Sequence, residues 1–230
     1  MWRLRCRFWR WRCGRALWPV IRRHGRFGKG RQGMSAYHEL MAFQRETEAL
    51  GGIMGLLGWD QETKMPRGGA HRRAEEMGAL EGVLHRRRTD PRMGAWLEAA
   101  ASEPLDEIAQ ANLRHLRRDY ARACRLPERL ATEIARVTSR AQGIWAEARA
   151  DDDAARFVPV LAEVVALKRE AGAALAEGTG ASAYDALLQG FEPEVSSEAM
   201  AQMFARMRPR LVALAQAVLA APAPAPLSGQ

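Results

Sequence analysis

The sequence has little of what several common kinds of active site and scaffold require. Only three of its 230 residues are cysteines, and it contains no Cys-x-x-Cys pair, no Gly-x-Ser-x-Gly elbow and no glycine-rich phosphate loop. From residue 34 onward the only thiol is Cys124, which excludes a disulfide framework and favours a reducing cytoplasm. No apolar run approaches the roughly 20 residues that a membrane-spanning helix needs, so we expect no membrane span.

Histidine is scarce as well. A zinc peptidase helix carries His-Glu-x-x-His, which places two ligands on one face and a carboxylate beside the metal. The only His-Glu pair is His38-Glu39, and Ala42 stands where the second histidine is required. His71 and His85 would lie about 21 Å apart on one continuous helix, too far to share a metal. We therefore predict no metal ligand and no catalytic residue in this chain, and expect its histidines at the surface or partly buried.

Positive charge is concentrated at one end of the chain. Residues 1–33 carry ten arginines and one lysine with no acidic residue, whereas residues 34–230 carry 24 basic and 27 acidic residues. The overall net charge of +8 therefore comes from the first segment, and the rest of the chain is mildly acidic. We predict three regions: a basic Arg/Trp-rich arm at 1–33 outside the fold, a helical region at 34–220, and a Pro/Ala linker at 221–230.

The arm allows several interpretations. Its interleaved arginines and tryptophans suit an anionic membrane surface or stacking on nucleic acid, and its lack of acids is typical of organelle transit peptides. Arginines interrupt every apolar stretch, which excludes a secretory signal. Arg, Gly, Trp and Cys are also what GC-rich DNA upstream of a gene encodes. We favour this last explanation, with Met34 as the natural start, and expect no nucleic-acid partner.

Apolar side chains recur at helical spacing from Met34 onward, and no segment alternates as a strand would. Capping residues and prolines mark where helices begin. Three helices are predicted to begin near Ser35, at Asp90-Pro91 and after Leu126-Pro127. Three more are predicted to span about 70–88, 105–124 and 197–220, and a further helix contains the apolar pattern of residues 157–171. The predicted fold class is therefore all-α, an antiparallel helical array.

Glycine and proline residues should perturb the first and the last of these helices. Gly51, Gly52 and Gly55 each weaken the first helix by up to about 1 kcal/mol relative to alanine, and we expect them to permit close approach of a neighbouring helix. In the last helix, Pro209 removes a backbone hydrogen bond and predicts a kink. The methionine stripe of that helix is more often core than an adaptable binding surface.

Three segments carry the strongest signal of ancestry. They are Trp59-Asp-Gln-Glu-Thr-Lys-Met-Pro66, Thr138-Ser-Arg-Ala-Gln-Gly-Ile-Trp-Ala-Glu-Ala-Arg149 and Tyr184-Asp-Ala-Leu-Leu-Gln-Gly-Phe-Glu-Pro193. Together they resemble the N-terminal half of Taq-type zinc carboxypeptidases, and the resemblance runs from about Met34 to the C-terminus. The His-Glu-x-x-His helix of that family lies further along than this sequence reaches, so we expect a truncated chain.

The resemblance implies a fold and an activity. The helical array would form the N-terminal half of a larger, groove-containing metallopeptidase fold. The full-length family releases single amino acids from peptide C-termini with zinc or another divalent metal, as a cytoplasmic homodimer. Because the zinc-binding half is absent, we expect this chain to bind no metal and to be inactive by itself. The alternative is a non-catalytic helical binding module with a basic membrane- or RNA-binding arm.

The motif residues have either a structural or a groove-lining role. They are Trp59, Asp60, Gln61, Thr63, Arg140, Gln142, Trp145 and Arg149. We favour a structural role for the first segment, with Trp59 as a core anchor and Asp60 fixing the loop that ends at Pro66. An arginine of the second segment could bind a peptide carboxylate or form a buried ion pair with Asp60.

An apolar surface patch is also expected where packing partners are missing. If this chain is half of an interlocked helical enzyme, apolar surface that the other half would cover should be exposed. The helix around Met200–Val218 is the expected location.

Overall fold

A computed structural model describes residues 35–222, and every regular element in that range is helical. The elements are α1 (Ala36–Thr63), a 3-10 turn (Arg67–Gly69), α2 (Ala70–Arg88), α3 (Pro91–Ala100), α4 (Glu107–Arg125), α5 (Glu128–Ala150), α6 (Ala154–Ala176), α7 (Ala183–Leu188) and α8 (Ser197–Ala220). The predicted all-α class is confirmed. The predicted arm at 1–33 and most of the linker at 221–230 lie outside the described residues.

Local sequence explains where most of these helices begin. A serine or aspartate side chain accepts a hydrogen bond from a backbone N–H of the first turn in six of the helices, which satisfies a donor that has no partner within the helix. These capping residues are Ser35, Asp90, Asp106, Asp153, Ser182 and Ser196. The starts predicted near Ser35 and at Asp90-Pro91 are therefore confirmed.

Neighbouring helices run antiparallel in the order α1, α2, α5, α6. In each pair, residues later in one helix contact residues earlier in the other. The contacts that fix these directions are Arg73–Asp60 and Arg87–Phe43 for α1 and α2, Ala70–Gly143 and Gly82–Thr132 for α2 and α5, and Arg140–Glu163 and Arg129–Glu170 for α5 and α6. Helix α7 packs against α6, and α3 and α4 cover the N-terminal part of α1.

Buried apolar side chains stabilise this array. One cluster joins α1, α3 and α4 and has Leu40, Met93 and Leu97 at its centre. Leu84 of α2 and Leu130 of α5 are also completely buried. Full burial of a leucine contributes about 1.5 to 3 kcal/mol, so these residues contribute substantially to the stability of the array.

The close helix approach predicted at Gly51, Gly52 and Gly55 is not found. A Cβ atom added at any of the three would have no described atom within 4 Å. Close approach occurs instead at Gly82, where an added Cβ would lie 3.2 Å from Thr132 Cγ2 of α5. It also occurs at Gly172, where an added Cβ would lie 3.0 Å from the carbonyl oxygen of Ala183 in α7.

Helix α8 projects from this array. Its main contact is with α7, and every residue from Ala201 to Ala220 is exposed. The helix continues through Pro209 without interruption. The methionine stripe is therefore not core within residues 35–222, whereas the expected exposure of apolar surface at this helix is confirmed. No helix in the described range is long and apolar enough to span a membrane.

One histidine lies deeper than the sequence predicted. His85, near the end of α2, is only 7 % exposed, and the other described histidines are more accessible. Burial lowers the pKa of His85, and the nearby Arg86 and Arg88 act in the same direction against Glu128.

Stability should therefore fall as the pH drops below about 6.5, the ordinary histidine pKa. In that window the unfolded chain binds a proton that folded His85 resists, so protonation favours unfolding. Burial raises the pKa of Glu81, so the contribution of Glu81 to stability increases as the pH falls. The effect of His85 must therefore be isolated by comparison with a His85 variant. Between pH 7.5 and pH 5.5, we expect the free energy of urea unfolding to change less for His85→Gln than for the parent chain. Equal changes in both proteins would contradict this prediction.

Candidate functional site

The Trp59–Pro66 segment ends α1 beside the start of α2 and the middle of α5. The last turn of α1 closes on Asp60, whose carbonyl oxygen accepts hydrogen bonds from the N–H groups of Lys64 and Met65 at 2.9 and 2.8 Å. The chain then reverses through Pro66 and the following 3-10 turn into α2. The predicted turn at the end of this segment is therefore formed by its backbone.

The Asp60 side chain holds α2 against α1. Arg73 of α2 donates from one terminal nitrogen to Asp60 Oδ2 at 2.7 Å and from the other to the carbonyl oxygen of Leu57. Its Nε donates to Glu76, and Arg72 also bonds that carboxylate and lowers the pKa of Glu76. The Arg73 side chain is only 11 % exposed, and Asp60 raises its pKa. This is a charge-assisted structural contact between two helices.

The Gln61 side chain joins α1 to α5. Its Nε2 donates to the carbonyl oxygen of Ser139 at 2.7 Å, and its Oε1 accepts from the Ser139 hydroxyl at 2.8 Å. Ser139 is buried, so this paired contact satisfies polar groups that water cannot reach. Asp60 and Gln61 therefore connect α1 to α2 and α5 through side-chain hydrogen bonds.

Trp59 does not behave as a core anchor. Its side chain is 55 % exposed and shares the outer face of α1 with exposed Leu56. Thr63, also exposed, donates its hydroxyl to the carbonyl oxygen of Trp59. Because adjacent helical residues point about 100° apart, directing Asp60 and Gln61 toward α2 and α5 leaves Trp59 facing outward. The prediction of a buried tryptophan was therefore wrong.

The second segment places another tryptophan at the surface. Trp145 is 43 % exposed, and the Arg149 guanidinium carbon lies 6.0 Å from its ring centroid. Arg140 is ion-paired with Glu163 of α6. Neither arginine pairs with Asp60, which uses Arg73 instead, so that proposed ion pair is not formed. Gln142 is half-buried on α5, and its side chain makes no hydrogen bond to another described residue.

The third segment positions the start of α8. Asp185 accepts the N–H of Ser197 at 2.7 Å and the Ser182 hydroxyl at 2.9 Å, and the Ser197 contact lowers the pKa of Asp185. Gln189 bridges the same loop, donating to the carbonyl oxygen of Val195 and accepting the N–H of Glu194. These bonds hold the connection between α7 and α8.

Sequence reasoning missed the arginines that complete these contacts. Arg73 and Arg122 were not among the candidate residues, yet Arg122 donates to the carbonyl oxygen of Ala186 at 2.7 Å and ties α4 to α7. Burial lowers the pKa of Arg122. The sequence has so many arginines that composition gives no signal for the two that make these contacts. Their positions inside amphipathic helices were the only available indication.

Most of the polar motif side chains contact other groups of this chain. Asp60 is ion-paired with Arg73, and Arg140 is ion-paired with Glu163. No group of three or more His, Cys, Asp or Glu side chains in the described range is arranged to hold a metal ion. The exposed tryptophans and the exposed Arg149 are motif side chains available for contact with another molecule.

Comparison with protein families gives one match over most of the chain. The family described as carboxypeptidase Taq (M32) metallopeptidase matches residues 39–228. This range includes all of the motif segments and runs from α1 through α8.

Curated relatives have the same activity in their names. The thermostable carboxypeptidase 1 of Thermus thermophilus is 41 % identical over 196 residues, which cover 80 % of this chain and 38 % of the relative. The protein of the same name from Pyrococcus furiosus is 30 % identical over 182 residues, covering 79 % of this chain and 36 % of the relative. The chain thus spans less than two fifths of the length of these two relatives.

Solved structures give the same result. A Pyrococcus furiosus carboxypeptidase matches with a TM-score of 0.68 and 28 % identity, over 86 % of this chain and 40 % of the other. The M32 carboxypeptidase of Deinococcus radiodurans matches with a TM-score of 0.65 and 34 % identity, over 83 % and 38 %. These matches favour the peptidase interpretation over the binding-module alternative, whose basic arm lies outside the described residues.

Proposed function

Because this chain belongs to the Taq-type (M32) metallocarboxypeptidase family, we propose that it supplies the helical N-terminal part of a peptidase that releases single amino acids from peptide C-termini. The observation that carries this proposal is the family match over residues 39–228. In the functional enzyme the remaining part would provide the metal site. By the same resemblance we propose zinc as the metal, a homodimeric enzyme, a cytoplasmic location and no nucleic-acid partner.

The described residues of this chain do not fit a catalytic metal. A peptidase zinc site needs three protein ligands and an open position for water. His71 and His85 lie near opposite ends of the single helix α2, about 21 Å apart by helical rise. His85 is also buried at the contact between α2 and α5. We therefore derive no catalytic step from these residues.

The role proposed for this chain is to shape and hold one wall of the substrate groove. Asp60 and Gln61 fix the relative positions of three helices, and this arrangement leaves Trp59 and Trp145 exposed. Aromatic rings offer large contact areas at a small entropic cost, which suits them to binding peptides. We propose that these two tryptophans line the groove and that Asp60, Gln61 and Arg140 support it.

By itself, the full chain should release no amino acid from a peptide C-terminus. We expect no product above background from an N-blocked peptide with added zinc, cobalt or manganese, because water activation needs a bound metal. The same assay with the Thermus thermophilus relative is the positive control. Chelator-sensitive release by residues 34–230 alone would show that the proposed division of labour is wrong. Finding His-Glu-x-x-His in frame beyond the codon for Gln230 would support it.

A further inference from the structure

Helix α8 presents a continuous apolar stripe that nothing in the described range covers. One face of the helix carries side chains spaced three or four residues apart, each at least 42 % exposed. They are Met203, Phe204, Met207, Leu211, Leu214 and Val218. Shallow grooves run along this face. A helix with such a stripe normally buries it against another element.

The stripe has a basic border. Arg206 and Arg210 flank it on one side and Arg208 on the other, as their helical positions require. Glu198 is the only acidic residue of α8. A complementary surface would therefore have an apolar centre and acidic side chains at its edge.

The structural match to a relative extends into α8. The match to the Pyrococcus furiosus carboxypeptidase covers 86 % of this chain, more than α1–α7 and their connections alone could supply. The matched region therefore includes at least part of α8 beside the rest of the array. The same match leaves about three fifths of the other protein's chain unmatched. That unmatched chain is available to cover α8.

We propose that the apolar stripe of α8 is the docking site for the part of an M32 carboxypeptidase that this chain does not match. The inference rests on the proposed function and adds the surface through which the two parts join. The occupant is an amphipathic segment with an apolar stripe and acidic edges. The contact with α7 and the hydrogen bonds of Asp185 and Gln189 position α8 for this contact.

Binding in trans is the direct test. The full chain would be mixed or co-expressed with the unmatched portion of the Thermus thermophilus carboxypeptidase, and complex formation measured by light scattering and calorimetry. We expect a one-to-one complex. Met207→Glu should weaken it roughly 100-fold, because a carboxylate would be buried without a partner at the apolar centre of the interface.

The matched control lies on the same helix. Gln216 is exposed and lies about 180° around α8 from Met207, so Gln216→Glu adds the same charge outside the stripe. We expect its affinity to stay within about twofold of the parent chain. Since α8 makes few contacts with the array, neither substitution should change the helical circular dichroism or the urea midpoint of the free chain. Equal weakening by both substitutions would reject the proposal.

Two further outcomes are decisive. If the parent chain does not join the Thermus portion even when co-expressed, or instead forms a homodimer that Met207→Glu disrupts, docking of the catalytic part at α8 is wrong. If the complex forms through α8 but releases no amino acid with metal, docking stands and the proposed function fails. If the complex is active and Met207→Glu affects neither binding nor activity, the function stands and this docking site fails.

Discussion

Replacing Asp60 with alanine should lower the free energy of unfolding of this chain by about 2 kcal/mol. The substitution leaves the largely buried Arg73 guanidinium with only Leu57 and Glu76 as acceptors. The Asp60 carboxylate is itself 36 % exposed, so the loss should be smaller than for a fully buried ion pair. Urea unfolding followed by circular dichroism would measure the change.

A double-mutant cycle separates the contact from other effects. Combining Asp60→Asn with Arg73→Met should give a coupling energy of about 1 to 2 kcal/mol. Glu48→Ala, an exposed carboxylate on the same helix, should change stability by less than about 0.5 kcal/mol. Unchanged stability of Asp60→Ala would contradict the structural role and point to a direct role at the groove.

Gly172→Ala should destabilise the chain by about 1 to 2 kcal/mol, although alanine is the better helix former. The added methyl would lie 3.0 Å from the carbonyl oxygen of Ala183 and 3.1 Å from Leu187 Cδ1, so α7 would have to move away from α6. Gly55→Ala is the matched control on α1, where nothing lies within 4 Å. It should stabilise the isolated chain by up to about 1 kcal/mol.

The two substitutions should therefore shift the urea midpoint in opposite directions. Helix propensity is the same for both, so the difference measures packing alone. If Gly172→Ala also raises the midpoint, the helices α6 and α7 do not approach as closely as described. If Gly55→Ala lowers it, some part of the isolated chain already covers that face of α1.

Helix positions were predictable because their signals are local. Capping side chains, prolines and apolar spacing act within a few residues, and the predicted spans 70–88 and 197–220 agree with the observed helices α2 and α8. Family membership was equally accessible, because the motif segments are contiguous in sequence. Neither the local helix signals nor the motif segments depend on how the helices pack together.

Side-chain partners could not be obtained in this way. The sequence suggested an arginine of the second segment as a partner of Asp60, whereas the antiparallel packing of α1 and α2 brings Arg73 to 2.7 Å from its carboxylate. The glycines of α1 and those of α2 and α6 look alike in sequence. Gly82 and Gly172 face another helix closely and Gly51, Gly52 and Gly55 do not, because close approach depends on the neighbour as much as on the glycine.

The sequence by itself determined that residues 35–222 are helical, about where their helices other than α7 begin, and which family the chain belongs to. Tertiary structure decided that Asp60 and Gln61 face inward and Trp59 outward, that His85 is buried, and that α8 remains uncovered within residues 35–222. The reason is that periodicity identifies an apolar face but carries no information about which surface, if any, packs against it.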